Sequence, residues 1–184
     1  MAGRVCPWWL AYTFDNPLRR LIHKPEKLLA PYVQEGMTAM DVGCGMGFFS
    51  IGMARLVGDG GHVISVDIQQ KMLDVLKKRA AKAGVLNRIR LHRAEPGTIN
   101  AGTGADFILC FWMVHEVPDA AAFFRELRLH VNPNGRLLIA EPKKHVSDLH
   151  FEETVDLVRE SGFDPAERPE ISMSRAAVFV ARAA

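Results

Sequence analysis

No stretch of the chain approaches the roughly 18 consecutive apolar residues of a membrane-spanning helix, and its start lacks a basic segment followed by an apolar core. Neither a span nor a secretory leader is expected, and the cytoplasm is the default compartment. Cysteine is scarce. Cys6, Cys44 and Cys110 are odd in number and widely spaced among 184 residues, which argues against a disulfide framework. Charge of one sign is missing too: 23 Lys plus Arg against 21 Asp plus Glu leave a net +2, so no broad field favours nucleic acid or a membrane surface. There is no internal repeat and no sign of a second core. What remains, 48% hydrophobic and 24% charged residues, is ordinary for one globular domain of this length.

Glycine, by contrast, is concentrated where it has a use. Thr38 to Val42 is mostly apolar and fits a buried parallel strand; Gly43, Gly45 and Gly47 follow it at once, where side chains would block a sharp turn and a ligand. A helix is expected from Phe48 to Val57, then a strand from His62 to Val66 that ends in Asp67, 20 residues beyond Gly47. A carboxylate at that place can accept hydrogen bonds from both hydroxyls of a ribose. This is a βαβ unit built to hold a nucleoside. A dinucleotide fingerprint would read G-x-G-x-x-G, with its third glycine serving helix packing beside a pyrophosphate. Here the spacing is G-x-G-x-G, and Asp41 precedes it. An acid there repels a pyrophosphate and attracts a cofactor that carries an ammonium group and a sulfonium.

Asp41 followed by Gly43-Cys44-Gly45-Met46-Gly47 resembles the first motif of the class I S-adenosylmethionine-dependent methyltransferases, and the likeness extends over residues 38 to 181. In flavour it is similar to the ubiquinone and menaquinone biosynthesis group, methyltransferase type 11. The resemblance implies a Rossmann-like α/β three-layer sandwich whose seven-stranded, mostly parallel sheet carries an antiparallel C-terminal strand. It also implies S-adenosylmethionine as cofactor, held by Asp41, Gly43, Cys44, Gly45, Gly47, Asp67 and Ile68, with the adenine near Ala94 or Glu95 and the methyl end near Phe111. Arg93-Ala94-Glu95 departs from the family's usual Gly-Asp-Ala, so the adenine contact is assigned to the Ala94 amide or the Glu95 side chain.

Residues 1 to 37 form an arm ahead of the methyltransferase domain, 38 to 184. The arm contains Trp8, Trp9, Tyr12 and Phe14 and a helix expected from Pro25 to Val33. Its rings suit a lid over the cofactor, packing on the sheet, or contact with a second copy of the chain. Further helices are expected over Gln69 to Ala83, after Asp119, and from Leu149 to Ser161; further strands over Ile89 to Leu91, Asp106 to Phe111 and Arg136 to Ala140. The glycine-rich segment from Gly97 to Gly104 leaves little room for a helix, and Asn132-Pro133-Asn134-Gly135 reads as a turn. The last two strands are placed near Glu167 to Ile171 and Ala176 to Ala181.

Methyl transfer from a sulfonium is an in-line displacement, in which the protein positions donor and acceptor and excludes water. A base is needed only when the acceptor must lose a proton. His115, Glu116, Glu141 and His145 follow strands whose C-terminal ends should surround the methyl group, and histidine suits the role best. Each also has a plain structural reading: His115 as a loop partner, Glu116 paired with Lys143 or Arg125, and His145 as a surface residue. His115, Glu116, His145 and His150 fit no compact metal motif, so no metal is expected. The apolar Phe111-Trp112-Met113-Val114 stands where amine-methylating relatives carry Asn-Pro-Pro-Tyr, which favours a small, partly hydrophobic acceptor. The competing readings are a regulatory or partner subunit that binds S-adenosylmethionine or S-adenosylhomocysteine without catalysis, and a nicotinamide oxidoreductase.

Overall fold

The computed structural model describes residues 23–183. The aromatic arm residues Trp8, Trp9, Tyr12 and Phe14 lie outside them, and with them the expectations of a lid and of a contact with a second copy. The chain runs α1 (Pro25–Leu29), β1 (Thr38–Val42), α2 (Phe48–Leu56), β2 (His62–Asp67), α3 (Gln70–Lys82), β3 (Ile89–Arg93) and β4 (Ala105–Phe111). It continues α4 (Ala120–His130), β5 (Val131–Pro142), α5 (Asp148–Glu160), β6 (Phe163–Glu167) and β7 (Ser174–Ala181).

The seven strands lie in the order β3-β2-β1-β4-β5-β7-β6. β1 pairs parallel to β2 and β4, β2 to β3 and β4 to β5, while β7 is antiparallel to both β5 and β6. This is the expected Rossmann-like sandwich. Central strands covered on both faces need continuous apolar runs, which is why Thr38 to Val42 and Ala105 to Phe111 do not alternate with polar residues. Alternate residues still divide between two cores. Ala39, Val63, Phe107 and Leu109 pack with Leu29, Phe49, Leu73 and Leu76 from α1 to α3. Met40, Val42, Ile64 and Ile108 pack with Phe124, Leu127, Phe151 and Val158 from α4 and α5.

The chain leaves β1 towards β2 on one side and returns to β4 on the other. That reversal opens a crevice at the C-terminal ends of β1 and β4, where open α/β sheets take their ligands.

No helix forms between β3 and β4, in keeping with the glycine-rich segment there. Three details differ from expectation. α1 stops at Leu29, and a turn carries Tyr32 and Val33 into the core. The Asn132-Pro-Asn-Gly turn is absorbed within β5: Val131 pairs with Ala105 and Arg136 with Phe107, so the residues between loop out with Asn134 at φ 63°. β6 starts directly after Gly162 at Phe163 and ends at Glu167, earlier than the expected Glu167 to Ile171. The fully buried Phe163 anchors it, and Pro165 is tolerated because the strand is an edge. Among the described residues no helix is long and apolar enough to cross a membrane.

Candidate cofactor and acceptor site

Each glycine of the loop after β1 has a different use. All three are left-handed, with φ of 71°, 52° and 83° at Gly43, Gly45 and Gly47. A Cβ at Gly43 would stand 2.9 Å from Cγ of Met113, and one at Gly47 only 2.0 Å from Cδ1 of Leu76. Gly43 therefore lets the turn after β4 come close, and Gly47 lets α2 close on α3. A Cβ at Gly45 would meet nothing within 4 Å. Gly45 faces the open crevice.

The loop is hung on β2. The Gly43 and Cys44 N–H groups both donate to the Val66 carbonyl, at 2.9 and 3.0 Å. Asp67 then ties the loop to the start of α3: its Oδ2 accepts from the Gly45 N–H at 2.9 Å and its Oδ1 from the Gln69 N–H at 2.8 Å. A carboxylate offers about four lone-pair sites, so these N–H groups leave capacity for a ligand hydroxyl. Burial raises the pKa of Asp67, against the lowering effect of the Gln69 and Gly45 N–H groups, and the nearby charge of Glu116 adds to the rise. Asp41 lies deeper, 2% exposed, and accepts from the Ser50 hydroxyl at 2.5 Å. Burial, helped by the charges of Asp41 and Asp67, pushes the Cys44 thiol well up, so this cysteine is part of the scaffold.

At the end of β3 the Ala94 N–H is already engaged, donating to the Asp67 carbonyl at 3.1 Å. Glu95 is exposed and Ile68 half-buried at the same rim. The following loop is pinned by Glu126 of α4, whose carboxylate accepts from the Thr98 hydroxyl and the Ile99 and Asn100 N–H groups. Burial pushes that carboxylate up, but the N–H groups of Asn100 and Ile99 and the Thr98 hydroxyl outweigh it and hold the pKa low. A depressed glutamate stabilises above its unfolded pKa and loses that contribution as the pH falls through the folded one. Glu126→Ala should therefore speed amide exchange at Ile99 and Asn100 at neutral pH, with the difference from wild type shrinking in acid. Equal exchange at neutral pH would contradict the clamp.

The turn after β4 forms the other wall. Trp112 is left-handed at φ 59°, an outlier for so bulky a residue, and it is held there from several sides. Its N–H donates to the Ala140 carbonyl at 2.7 Å and its indole N–H to the Ser174 hydroxyl at 2.8 Å. The His23 ring meets Trp112 and Phe111 edge-on at 5.5 and 5.3 Å, while its Nε2 is 2.9 Å from the Ser172 carbonyl. Phe111, 7% exposed, lies tilted on Phe49 at 4.3 Å.

Glu141, at the end of β5 and 1% exposed, holds the same turn from below. Its Oε1 accepts from the Met113 and Val114 N–H groups at 3.1 Å each. Its Oε2 accepts from the His115 N–H at 3.2 Å and lies 2.6 Å from His115 Nδ1. His145 sits beside this pair, its ring 5.9 Å from that of His115 and nearly perpendicular to it. Glu116 is half-buried next to them.

Sequence reasoning brought these residues to one edge but missed Ser174 and His23, which no spacing could have revealed: His23 and Ser172 are 149 residues apart. His150 serves elsewhere, with Ser147 at the start of α5. No group of three or more His, Cys, Asp or Glu among the described residues could hold a metal. A cavity of about 650 Å³ also opens between α5 and the β6–β7 connection. The pairs Arg175–Asp148 and Arg168–Glu152 make its walls charged.

A family model described as a methyltransferase domain matches residues 33–166. A ubiquinone biosynthesis O-methyltransferase of Xanthomonas axonopodis pv. citri is 29% identical over 134 residues, covering 72% of this chain and 55% of that protein. The demethylmenaquinone methyltransferase of Halalkalibacterium halodurans is 30% identical over 109 residues, covering 59% of this chain and 44% of its own length. The chain thus spans about half the length of the curated relatives it matches. Among solved structures, a SAM dependent methyltransferase from Aquifex aeolicus aligns with a TM-score of 0.83 and 25% identity, covering 96% of this chain and 98% of its own. The cyclase SpnF shares the fold, at TM-score 0.71 and 14% identity, over 86% of this chain and 80% of its own.

Proposed function

The chain belongs to the methyltransferase domain family, and we propose that it binds S-adenosylmethionine in the crevice over β1, β2 and β4 and methylates a small, partly hydrophobic acceptor. One observation carries the reading: Gly45 faces open space while its N–H is held by Asp67, so the loop and the ribose-type carboxylate form a single cradle that a Cβ would fill. That geometry fits a nucleoside. Asp67 would hold the two ribose hydroxyls with its remaining lone pairs, Ile68 would cover one face of the base, and Glu95 would meet the adenine edge. Asp41 would act at a distance, its buried charge favouring the cationic end of the cofactor.

When bound, S-adenosylmethionine supplies a methyl group already activated on a sulfonium, so this chain's residues have only to place the acceptor and exclude water. Phe111 and Trp112 supply an apolar wall for that purpose, fixed by Phe49, His23 and Ser174. The names of the relatives, which concern ubiquinone and menaquinone, support a ring-bearing acceptor related to a quinone. SpnF shows why the fold alone does not name a reaction.

Gly45→Ala tests the reading. Only backbone strain opposes the new methyl group, about 1–2 kcal/mol, so the protein should still fold. Binding of S-adenosylmethionine, followed by calorimetry, should be lost. Retained affinity in a folded variant would remove the cradle.

A further inference from the structure

His115 and Glu141 are joined in a way that nothing in the crevice's cofactor half requires. The Glu141 carboxylate is buried, yet every contact it makes is with the turn that carries His115: three successive backbone N–H groups and the imidazole itself. A carboxylate accepts only. The 2.6 Å contact therefore puts the imidazole proton on Nδ1 and leaves the Nε2 lone pair outward. The His115 side chain is 25% exposed and its Nε2 has no hydrogen-bond partner among the described residues. His115 follows Trp112, Met113 and Val114 in the turn that carries the apolar wall.

We propose that His115 is the general base that takes the proton from a hydroxyl-bearing acceptor, a phenol or enol, and that Glu141 is a positioning residue acting through it. This rests on the methyltransferase reading and narrows it to transfer onto oxygen. Nε2 of His115 receives the hydroxyl proton while an oxygen lone pair forms the new O–CH3 bond. The C–S bond breaks with its electrons left on sulfur, giving a neutral thioether. The proton stays on the imidazolium opposite the Glu141 carboxylate and then passes to solvent. A neutral amine attacks with its own lone pair and has less need of so fixed a base.

The groups facing the ring are Glu141 from β5, Glu116 on its own turn and His145 from the β5–α5 connection. The hydrogen bond to Glu141 raises the pKa of His115, burial opposes it, and the charges of Glu141 and Glu116 add to the rise. A raised pKa means that neutral imidazole, the active form, appears only above the ordinary histidine range. The acid limb of kcat/KM should accordingly lie above about pH 6.5.

Two measurements decide the matter. Imidazole NMR of the protein without ligand should show the Nδ1–H tautomer at His115 and a pKa that falls in Glu141→Gln. An Nε2–H tautomer in wild type, or an unchanged pKa in a folded Glu141→Gln, would overturn the positioning role. The second follows S-adenosylhomocysteine formation from catechol, para-hydroxybenzoate and aniline in parallel. His115→Gln leaves the three backbone bonds of Glu141 in place, so it tests the base even if Glu141→Gln fails to fold. Its kcat for the phenols should drop by roughly 100-fold or more, with unchanged S-adenosylmethionine affinity by calorimetry. Full turnover in this variant would sink the base. Wild type that binds S-adenosylmethionine but methylates aniline alone, or none of the three, would sink the hydroxyl acceptor only. Wild type that does not bind S-adenosylmethionine would sink the methyltransferase reading itself.

Discussion

Asp67→Ala should weaken S-adenosylmethionine binding by at least about 100-fold. Two charge-assisted hydrogen bonds to ribose hydroxyls are lost, each worth about 1.5–3 kcal/mol, and the carboxylate is only 8% exposed, so solvent screens them little. The same change frees the Gly45 and Gln69 N–H groups, which lets the cradle relax and adds to the loss. Calorimetry at fixed pH reads the effect directly, and unchanged affinity would remove Asp67 from the site. The raised pKa gives a second signature in wild type. Binding needs the ionised carboxylate, so affinity should begin to fall, as the solution is acidified, at a higher pH than an ordinary aspartate would give.

Gly47→Ala should destabilise the fold by about 3 kcal/mol. Gly47 is left-handed at φ 83°, which costs a residue with a Cβ roughly 1–2 kcal/mol, and the new Cβ would lie 2.0 Å from Cδ1 and 3.0 Å from Cγ of Leu76. Leu76 is fully buried, in the core that also holds Leu73 and Val63. Overpacking of this kind adds about 1–3 kcal/mol. In a chain of this length the sum corresponds to a fall in Tm of roughly 10 °C. Gly84→Ala is the control: φ there is 71°, but a Cβ would meet nothing within 4 Å, so only the backbone strain remains. If both variants melt alike, Gly47 is not a packing glycine.

The contrast between these residues marks what the sequence could reveal. Local features were legible. The apolar runs of β1, β2 and β4, the glycines after β1, the Asp at the end of β2 and the cap of α4 each depend on neighbours a few residues away, and the structure places them as expected. Asp119, for instance, accepts from the Ala122 N–H at 2.8 Å. Partners distant along the chain were not legible. Gly47 was read as a loop glycine because Leu76 is 29 residues on. Glu141 was grouped with the candidate bases because nothing in Glu141-Pro142-Lys143 says that its carboxylate meets the turn 26 to 28 residues earlier. β6 starts earlier than expected because Phe163 reveals itself only by the core it fills.

Calorimetry of the wild-type protein with S-adenosylmethionine, S-adenosylhomocysteine and NAD in parallel tests the central claim most directly. Binding of the first two without NAD is the result predicted by the glycine spacing, by Asp41 and by the open cradle at Gly45. Binding of NAD alone, or of none of the three, would contradict it.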